Sequence, residues 1–465
     1  MKKQVNAVDM HIDKLVIRSA TGNYDLRPHI VELNIYENIF RPLLTANITL
    51  TDAHNLPQKL PIVGQETVDI DIKLSGMEDG DDDLLALKPP PFHVNSIPNR
   101  DYLKPKSQLY SLELISEQFV SSTHSKVSKS YKDTLISSMV SDIYKTHMNN
   151  GRGVWVEPTD VEDTIIIPNL CPIEAIQWLA KRAKQGEDEA VNYVFFETMN
   201  GSYFRSLNSL CSVKPFVTFV LKSRFDDPTG AEGLSVGEIK VNKFSFIKQF
   251  DRDRAVRDGV FSSKLITHDI VRKRIHEWDY NGFINWNMID HVGDNFPTSN
   301  SKIEAKSATT QRTSYAPPGD YNSREPDTET IGGMVDSRVS FYPKHYHMYD
   351  YEYDNQVELW KQQRDNNYGV FDGLVILIET AGVSGLRVGQ IVNFKLPSAE
   401  TTDRDNMSGD KFDKMLSGKY MVTAINHIIG VTDDKDPRAV YNMKIELTKD
   451  GLNVPIEVRP SRKEE

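Results

Sequence analysis

The stretch VDIDIKL (Val68–Leu74) places Val68, Ile70, Ile72 and Leu74 on one side and Asp69, Asp71 and Lys73 on the other. Successive strand side chains point to opposite faces, so an apolar residue at every second position fits a half-buried strand and no helix. The same period recurs throughout the N-terminal quarter. IVELNIYENIF (Ile30–Phe40) sets Val31, Leu33 and Ile35 against Glu32, Asn34 and Tyr36, and LTANITLTD sets Ala46, Ile48 and Leu50 against Asn47, Thr49 and Thr51. LYSLELIS (Leu109–Ser116) puts Tyr110, Leu112 and Leu114 on one face. Such runs, separated by turn residues, predict an antiparallel sheet or barrel. Between them, residues 75–101 carry an acidic run and three consecutive prolines, which resist helix and ladder alike, so the segment reads as an inserted loop.

Helical spacing follows. In SYKDTLISSMVSDIYKTHM the stripe Leu135, Ile136, Met139, Val140, Ile143 and Tyr144 predicts a core-facing helix, with Ser130 and Asp133 as its start signal. A second helix begins at Pro172 and buries Ile173, Ile176, Leu179, Ala180 and Ala183. NYVFFET and SYFRSL, joined at Asn200-Gly201, predict a hairpin over Tyr193–Leu207. More strand runs, such as VNKFSFIKQF, lie between Phe216 and Trp286. The span Pro297–Gly333 is rich in Ser, Thr, Pro, Gly and charge and reads as a linker or an arm. NQVELWKQQRDNN (Asn355–Asn367) predicts a short helix, and the strand-rich block from Val370 to Lys449 ends in the alternation of Tyr441, Met443, Ile445 and Leu447.

These patterns predict an α+β, mostly β chain. The expected units are residues 1–118 (a first barrel with inserted loop 75–101), 119–215 (α+β), 216–296 (β-rich), 297–340 (linker or arm), 341–452 (a helix and second barrel with inserted loop 398–416) and 453–465 (tail). At 465 residues several domains are expected, and 39% hydrophobic content suffices for packed interiors. The formal charge of −11 and the absence of a basic block argue against gripping nucleic acid. Two cysteines, Cys171 and Cys211, cannot build a disulfide framework, which suggests assembly in a reducing compartment. The N-terminus has no apolar segment of the kind a signal peptide needs, and the run Leu374–Ile378 is far too short to span a bilayer, so a soluble protein is expected.

Chemistry-bearing motifs are scarce. No Walker loop, GxGxxG, HExxH or GxSxG occurs. EDGDDD (Glu78–Asp83) resembles an acidic calcium loop, but the twelfth position from Asp79 is Pro90 where an EF-hand needs Glu, so a solvated loop is the better reading. His345 and His347 could share a metal with a carboxylate or with His276, although HYHMYDYEYD also suits an interface rich in amphipathic rings. Cys171 and Cys211 read as small hydrophobes rather than nucleophiles. No catalytic, cofactor or metal residue is assigned.

One feature recurs across more than three hundred residues. Val63-Gly64-Gln65 precedes the Val68–Leu74 run, and Val388-Gly389-Gln390 precedes IVNFKL. Gly64 and Gly389 are expected at turns that need positive φ or close backbone approach, and Gly418 in LSGKYMV at a later turn of the same kind. The segments IVELNIYENIF…LTANITLTDAHNLPQKLPIVGQETVDIDI, TIIIPNLCPIEAIQWLAKRA…VNYVFFETMNGSYFRSLNSL and GLRVGQIVNFKLP…LSGKYMVTAINHII…YNMKIELTKDG resemble, in that order, the baseplate hub proteins of contractile-tailed bacteriophages. The N-terminal part of type VI secretion spike proteins is a more distant likeness. The resemblance spans residues 12–452 and departs from the family at the insertions 75–101, 297–333 and 398–416.

The resemblance implies two similar tube-like barrels in one chain and a homotrimer that sets six barrels in a ring. Such a ring adapts a hexameric tail tube, or its initiator proteins, above to a trimeric central spike below, with wedge proteins around it. DNA would pass only as cargo, no cofactor or membrane is involved, and the place is the tail baseplate of a virion assembled in the host cytoplasm. The alternative is a cell-wall-degrading or other carbohydrate-active tail enzyme.

Overall fold

The structure, a computed structural model, describes residues 9–74, 87–104, 107–148, 151–160, 162–185, 191–221, 238–300, 330–344, 357–398, 412–433 and 436–456. The alternating runs of the N-terminal part form strands β1 (Asp9–Ser19), β2 (Gly22–Asp25), β3 (Ile30–Asn38), β4 (Thr45–Asp52), β5 (Thr67–Leu74), β6 (Phe92–Ser96), β7 (Arg100–Lys104) and β8 (Ser107–Ser116). Ala46, Ile48 and Leu50, Val68, Ile70 and Ile72, and Tyr110, Leu112 and Leu114 are all buried, as their period requires. Val31 is not: the register of β3 on β4 shifts between Ile30 and Glu32, and this bulge leaves Val31 41% exposed. The expected inserted loop is shorter than its composition suggested. Leu87 bridges Ile72, Phe92 and Val94 are buried in β6, and β7 pairs with β8, while residues 75–86 lie outside the described residues. The prolines end just before β6, so they leave its ladder intact.

The middle region contains β9 (Val127–Leu135), β10 (Val154–Val156), β11 (Glu162–Leu170), β12 (Tyr193–Thr198) and β13 (Gly201–Ser206). β12 and β13 make the expected hairpin. The helices Ile136–His147 and Pro172–Ala180 bury the expected apolar positions, except that Leu135 caps the first one and Ala183, also buried, lies past the end of the second. The start signal at Ser130 and Asp133 is a misreading. Those residues lie in β9, which pairs with β11, and the helix begins only at Ile136. Backbone pairing with a distant strand overrides a local capping preference here.

The rest of the chain supplies β14 (Thr218–Leu221), β15 (Glu238–Gln249), β16 (Ser262–Asp269), β17 (Arg274–Asn281), β18 (Val339–Pro343), β19 (Leu374–Ala381), β20 (Ile391–Lys395), β21 (Gly418–Asp433) and β22 (Asp436–Lys449). Residues 216–296 do not form one sheet of their own. β14 and β15 join β20 and β19, whereas β16 and β17 form a separate three-stranded sheet with β18. Val339, inside the expected linker, is thus already strand; residues 301–329 and 399–411 lie outside the described residues. The expected short helix runs longer, Val357–Phe371, and buries Gln362, Gln363, Asn366 and Asn367. Gln362 Nε2 donates to the Ser263 and Trp278 carbonyls at 3.0 and 3.2 Å, Asn366 donates to the Val260 carbonyl, and Arg364 of the same helix donates through Nη1 to the carbonyls of Ala180 and Val191 at 3.1 and 2.9 Å.

Among the described residues, fourteen strands belong to one sheet system whose pairings close two circuits. One runs β1–β5–β6–β8–β4–β3–β21–β22 and returns to β1. The other runs β14–β15–β19–β22–β21–β20 and returns to β14. The long strands β21 and β22 are common to both, and one apolar cluster extends from Met10 to Leu447 through both. Tyr441, Met443, Ile445 and Leu447 on β22 are fully buried in it, each stabilising the fold by about 1.5–3 kcal/mol. Within the circuits, β3–β4–β8–β6–β5 and β15–β19–β22–β21–β20 are neighbours in the same order, and every pair in both series is antiparallel.

Candidate functional site

The two Val-Gly-Gln turns occupy the same place in these two series. Gly64 has φ +94° and leads into β5; Gly389 has φ +83° and leads into β20. Each turn lies against a valine of the strand that follows. The Val94 amide of β6 donates to the Glu66 carbonyl at 3.0 Å, and the Val422 amide of β21 donates to the Gln390 carbonyl at 2.9 Å. Gly418 has φ +130° at the start of β21.

The free amides of both turns point at carboxylates. In the first, Val63, Gly64 and Gln65 donate to the side chain of Glu66 at 3.0, 2.9 and 3.2 Å. In the second, the Val388 amide donates to Glu37 Oε2 at 3.3 Å, and Glu37 belongs to β3 of the other series. A local cap on one turn is replaced on the other by a carboxylate reaching across from 351 residues away.

An alanine at either glycine meets a backbone that L-residues avoid, which costs about 1–2 kcal/mol. At Gly64 a Cβ would lie 3.6 Å from the Val94 carbonyl oxygen, an ordinary contact. At Gly389 it would lie 3.3 Å from Leu210 Cδ2 and 3.4 Å from Phe196 Cζ, in packed core, so overpacking adds about 1–3 kcal/mol. Urea melts should therefore rank Gly389→Ala below Gly64→Ala in stability and both below the parent; equal stability of all three would show that the turns carry no such constraint.

Glu37 anchors a buried polar junction. It is 1% exposed, accepts the Met199 amide at 2.9 Å and lies 3.7 Å from Arg387 Nε. Arg387 also donates through Nη1 to the Ser384 and Leu386 carbonyls at 2.5 and 2.8 Å, and through Nε to Asn200 Oδ1 at 3.3 Å. Glu197 of β12 accepts the Leu44 amide at 3.1 Å and faces Arg152 at 3.8 Å. Burial pushes the carboxyl of Glu37 up despite Arg387, and pushes that of Glu197 up to about 7. The junction thus binds the first strand series, the β12–β13 hairpin and the second Val-Gly-Gln turn. Sequence reasoning missed it, because Glu37 and Arg387 sit in otherwise apolar or turn segments with no motif around them.

The other sequence candidates disperse. Cys171 caps the helix Pro172–Ala180 with Lys126 Nζ 3.0 Å from its sulfur, and Cys211 is buried, which raises its thiol pKa. Cys211 shares a small cavity with His291 and Asp450. His291 Nδ1 faces Asp450 at 2.8 Å, but its Nε2 is 2.9 Å from the Trp286 carbonyl, so that nitrogen is turned to the backbone and not to the thiol. A nucleophile–base pair needs the opposite arrangement. Glu78–Asp83 and His345–Asp354 lie outside the described residues, and His276 is in β17. No helix among the described residues is long and apolar enough to cross a membrane.

No protein-family model matches the sequence, and no curated protein sequence is similar to it. Solved structures do match the fold. A tail protein from Neisseria meningitidis MC58 superposes with a TM-score of 0.53 at 11% identity, over 94% of this chain and 97% of that one. The 43 kDa tail protein of prophage MuSo2 from Shewanella oneidensis gives 0.50 at 10% identity, over 95% of this chain and all of that one. A chain of the half-lidded Francisella PdpA–VgrG complex gives 0.43 at 9% identity, over 99% and 61%. The first two of these neighbours are tail proteins, the kind of relative to which the sequence resemblance pointed, and the chain has a mostly β fold of the tail-protein type.

Proposed function

We propose that the protein is the structural hub of a contractile phage-tail baseplate, a homotrimer that presents six similar barrels to a hexameric tube. The observation that carries this is the repeated strand order, β3–β4–β8–β6–β5 and β15–β19–β22–β21–β20, with a Val-Gly-Gln turn before the last-named strand of each. The two closed circuits are two barrels sharing the wall β21–β22, and closure removes the edges on which sheets aggregate. Three-fold and six-fold objects meet through equivalent contacts only if each of three subunits offers two like surfaces. Fusing two copies of one barrel in a chain supplies them.

In this reading the tube or its initiator docks on one face of the ring and the spike on the other, wedge proteins surround it, and DNA crosses the lumen. The charge of −11 suits a channel that should not hold phosphate. The tail of the virion is the place of action, after assembly in the host cytoplasm. Light scattering on the eluting protein, alone and with the phage's spike protein, tests the assembly. Three 52.9 kDa chains are expected, either alone or together with the mass of the bound spike; a single chain in both cases contradicts the proposal.

A further inference from the structure

We propose that His29, Asp52 and His54 bind a divalent transition metal, zinc being the type case, at the corner where the turn before β3 meets the end of β4. The fold builds this corner. Ile30 pairs with Leu50 across β3 and β4, so His29 falls opposite Thr51 and next to Asp52. The Asp52 carboxylate accepts the His54 and Leu56 amides at 2.5 and 2.6 Å, and this tight turn brings the His54 ring back over the strand end. The His29 and His54 rings meet edge to face with centroids 5.5 Å apart. One donor atom from each of the three residues lies within 4.8 Å of the other two. Donor atoms of a tetrahedral zinc site stand roughly 3.4 Å apart, a difference that rotation of the exposed His54 ring can close.

The surroundings match what metal ligands need. His29 Nδ1 donates to the Thr51 carbonyl at 3.2 Å, which leaves Nε2 as the ligating nitrogen; the Tyr24 hydroxyl, 2.9 Å away, donates to that lone pair in the metal-free protein and has to turn aside when a metal binds. Ligating imidazoles commonly make such a second hydrogen bond to a carbonyl, and ligating carboxylates are themselves hydrogen-bonded, as Asp52 is. A second observation points the same way. The Tyr110 hydroxyl, on β8 opposite Leu50 near the end of β4, is buried without a hydrogen-bond partner. A water on the metal would give that hydroxyl a partner. Two imidazoles and one carboxylate select zinc, nickel or cobalt over magnesium and calcium. Three protein ligands also leave a position open, to water or to a side chain of a neighbouring chain. The metal staples the start of β3 to the end of β4.

The test uses the full chain, stripped with chelator and titrated calorimetrically with zinc chloride and, separately, magnesium chloride. One equivalent of zinc should bind and raise the melting temperature, and magnesium should not. His54→Ala, at an exposed position, should keep the parent circular dichroism spectrum and weaken zinc binding at least about 10-fold. The chain has 12 histidines, so His345→Ala/His347→Ala serves as the control and should bind as the parent does. No zinc uptake by the parent, unchanged affinity in His54→Ala, or loss only in the His345/His347 variant would each overturn the assignment.

Discussion

Replacing Arg387 by alanine should lower the free energy of unfolding by about 3–5 kcal/mol, the usual cost of leaving a buried charge without its partner. Glu37 would keep its two backbone donors, Met199 and Val388, but lose the Arg387 guanidinium beside it. The loss should shrink as pH falls, since burial already favours the protonated form of Glu37 and a neutral carboxyl needs no counter-ion. A double-mutant cycle with Glu37→Gln separates the pair from the packing of the long Arg387 side chain. If Arg387→Ala costs as much in the Glu37→Gln background as in the parent, the pair is not what binds the two strand series.

Glu197→Gln should have the second-largest effect, and in the stabilising direction. The folded-state pKa of Glu197 is about 7, against an ordinary 4.5. Between these values the native protein holds the proton more firmly than the unfolded chain. Its contribution to stability is therefore intact below about pH 4.5 and is lost as pH rises through about 7. At about 1.4 kcal/mol per pH unit, the penalty of the ionised carboxylate approaches roughly 3 kcal/mol above pH 8. A glutamine keeps an acceptor for the Leu44 amide and has no such penalty. The variant's advantage over the parent in urea unfolding should grow by roughly 2–3 kcal/mol between pH 5 and pH 8. A difference independent of pH would mean that Glu197 does not titrate in this range.

Both predictions concern residues that the sequence left mute, and the reason is physical. Period-two and helical patterns report which face of an element is buried, and Ala46–Leu50, Tyr110–Leu114 and Ile173–Ala183 were legible for that reason. They do not report what an element pairs with. Thus the runs of β14 and β15 read as part of a separate β-rich unit over 216–296, although they complete the circuit of β19–β22. The strand Val127–Leu135 carries a false helix-start signal because Ser130 and Asp133 have the right spacing, while its partner β11 lies a helix away. Val31 shows a finer limit, since one bulge exchanges the faces of a strand without altering its composition. The helix Val357–Phe371 is hard to read from sequence because its buried face mixes Val357, Trp360, Val370 and Phe371 with Gln and Asn, of which Gln362 and Asn366 donate to backbone carbonyls of other elements. The Val-Gly-Gln turns were readable only because they recur. Their carboxylate partners, Glu66 beside one and Glu37 far from the other, follow no common spacing, and neither do His29, Asp52 and His54.

Cryo-electron microscopy of the assembled hub, bound to its spike, bears most directly on the central idea. The account predicts a three-fold particle whose density toward the tube shows six near-equivalent β units, with the turns at Gly64 and Gly389 alternating around one ring at a common height and radius. A particle in which the strands around one of these turns stand outside that ring, or in which the chain is present in six copies, would contradict it.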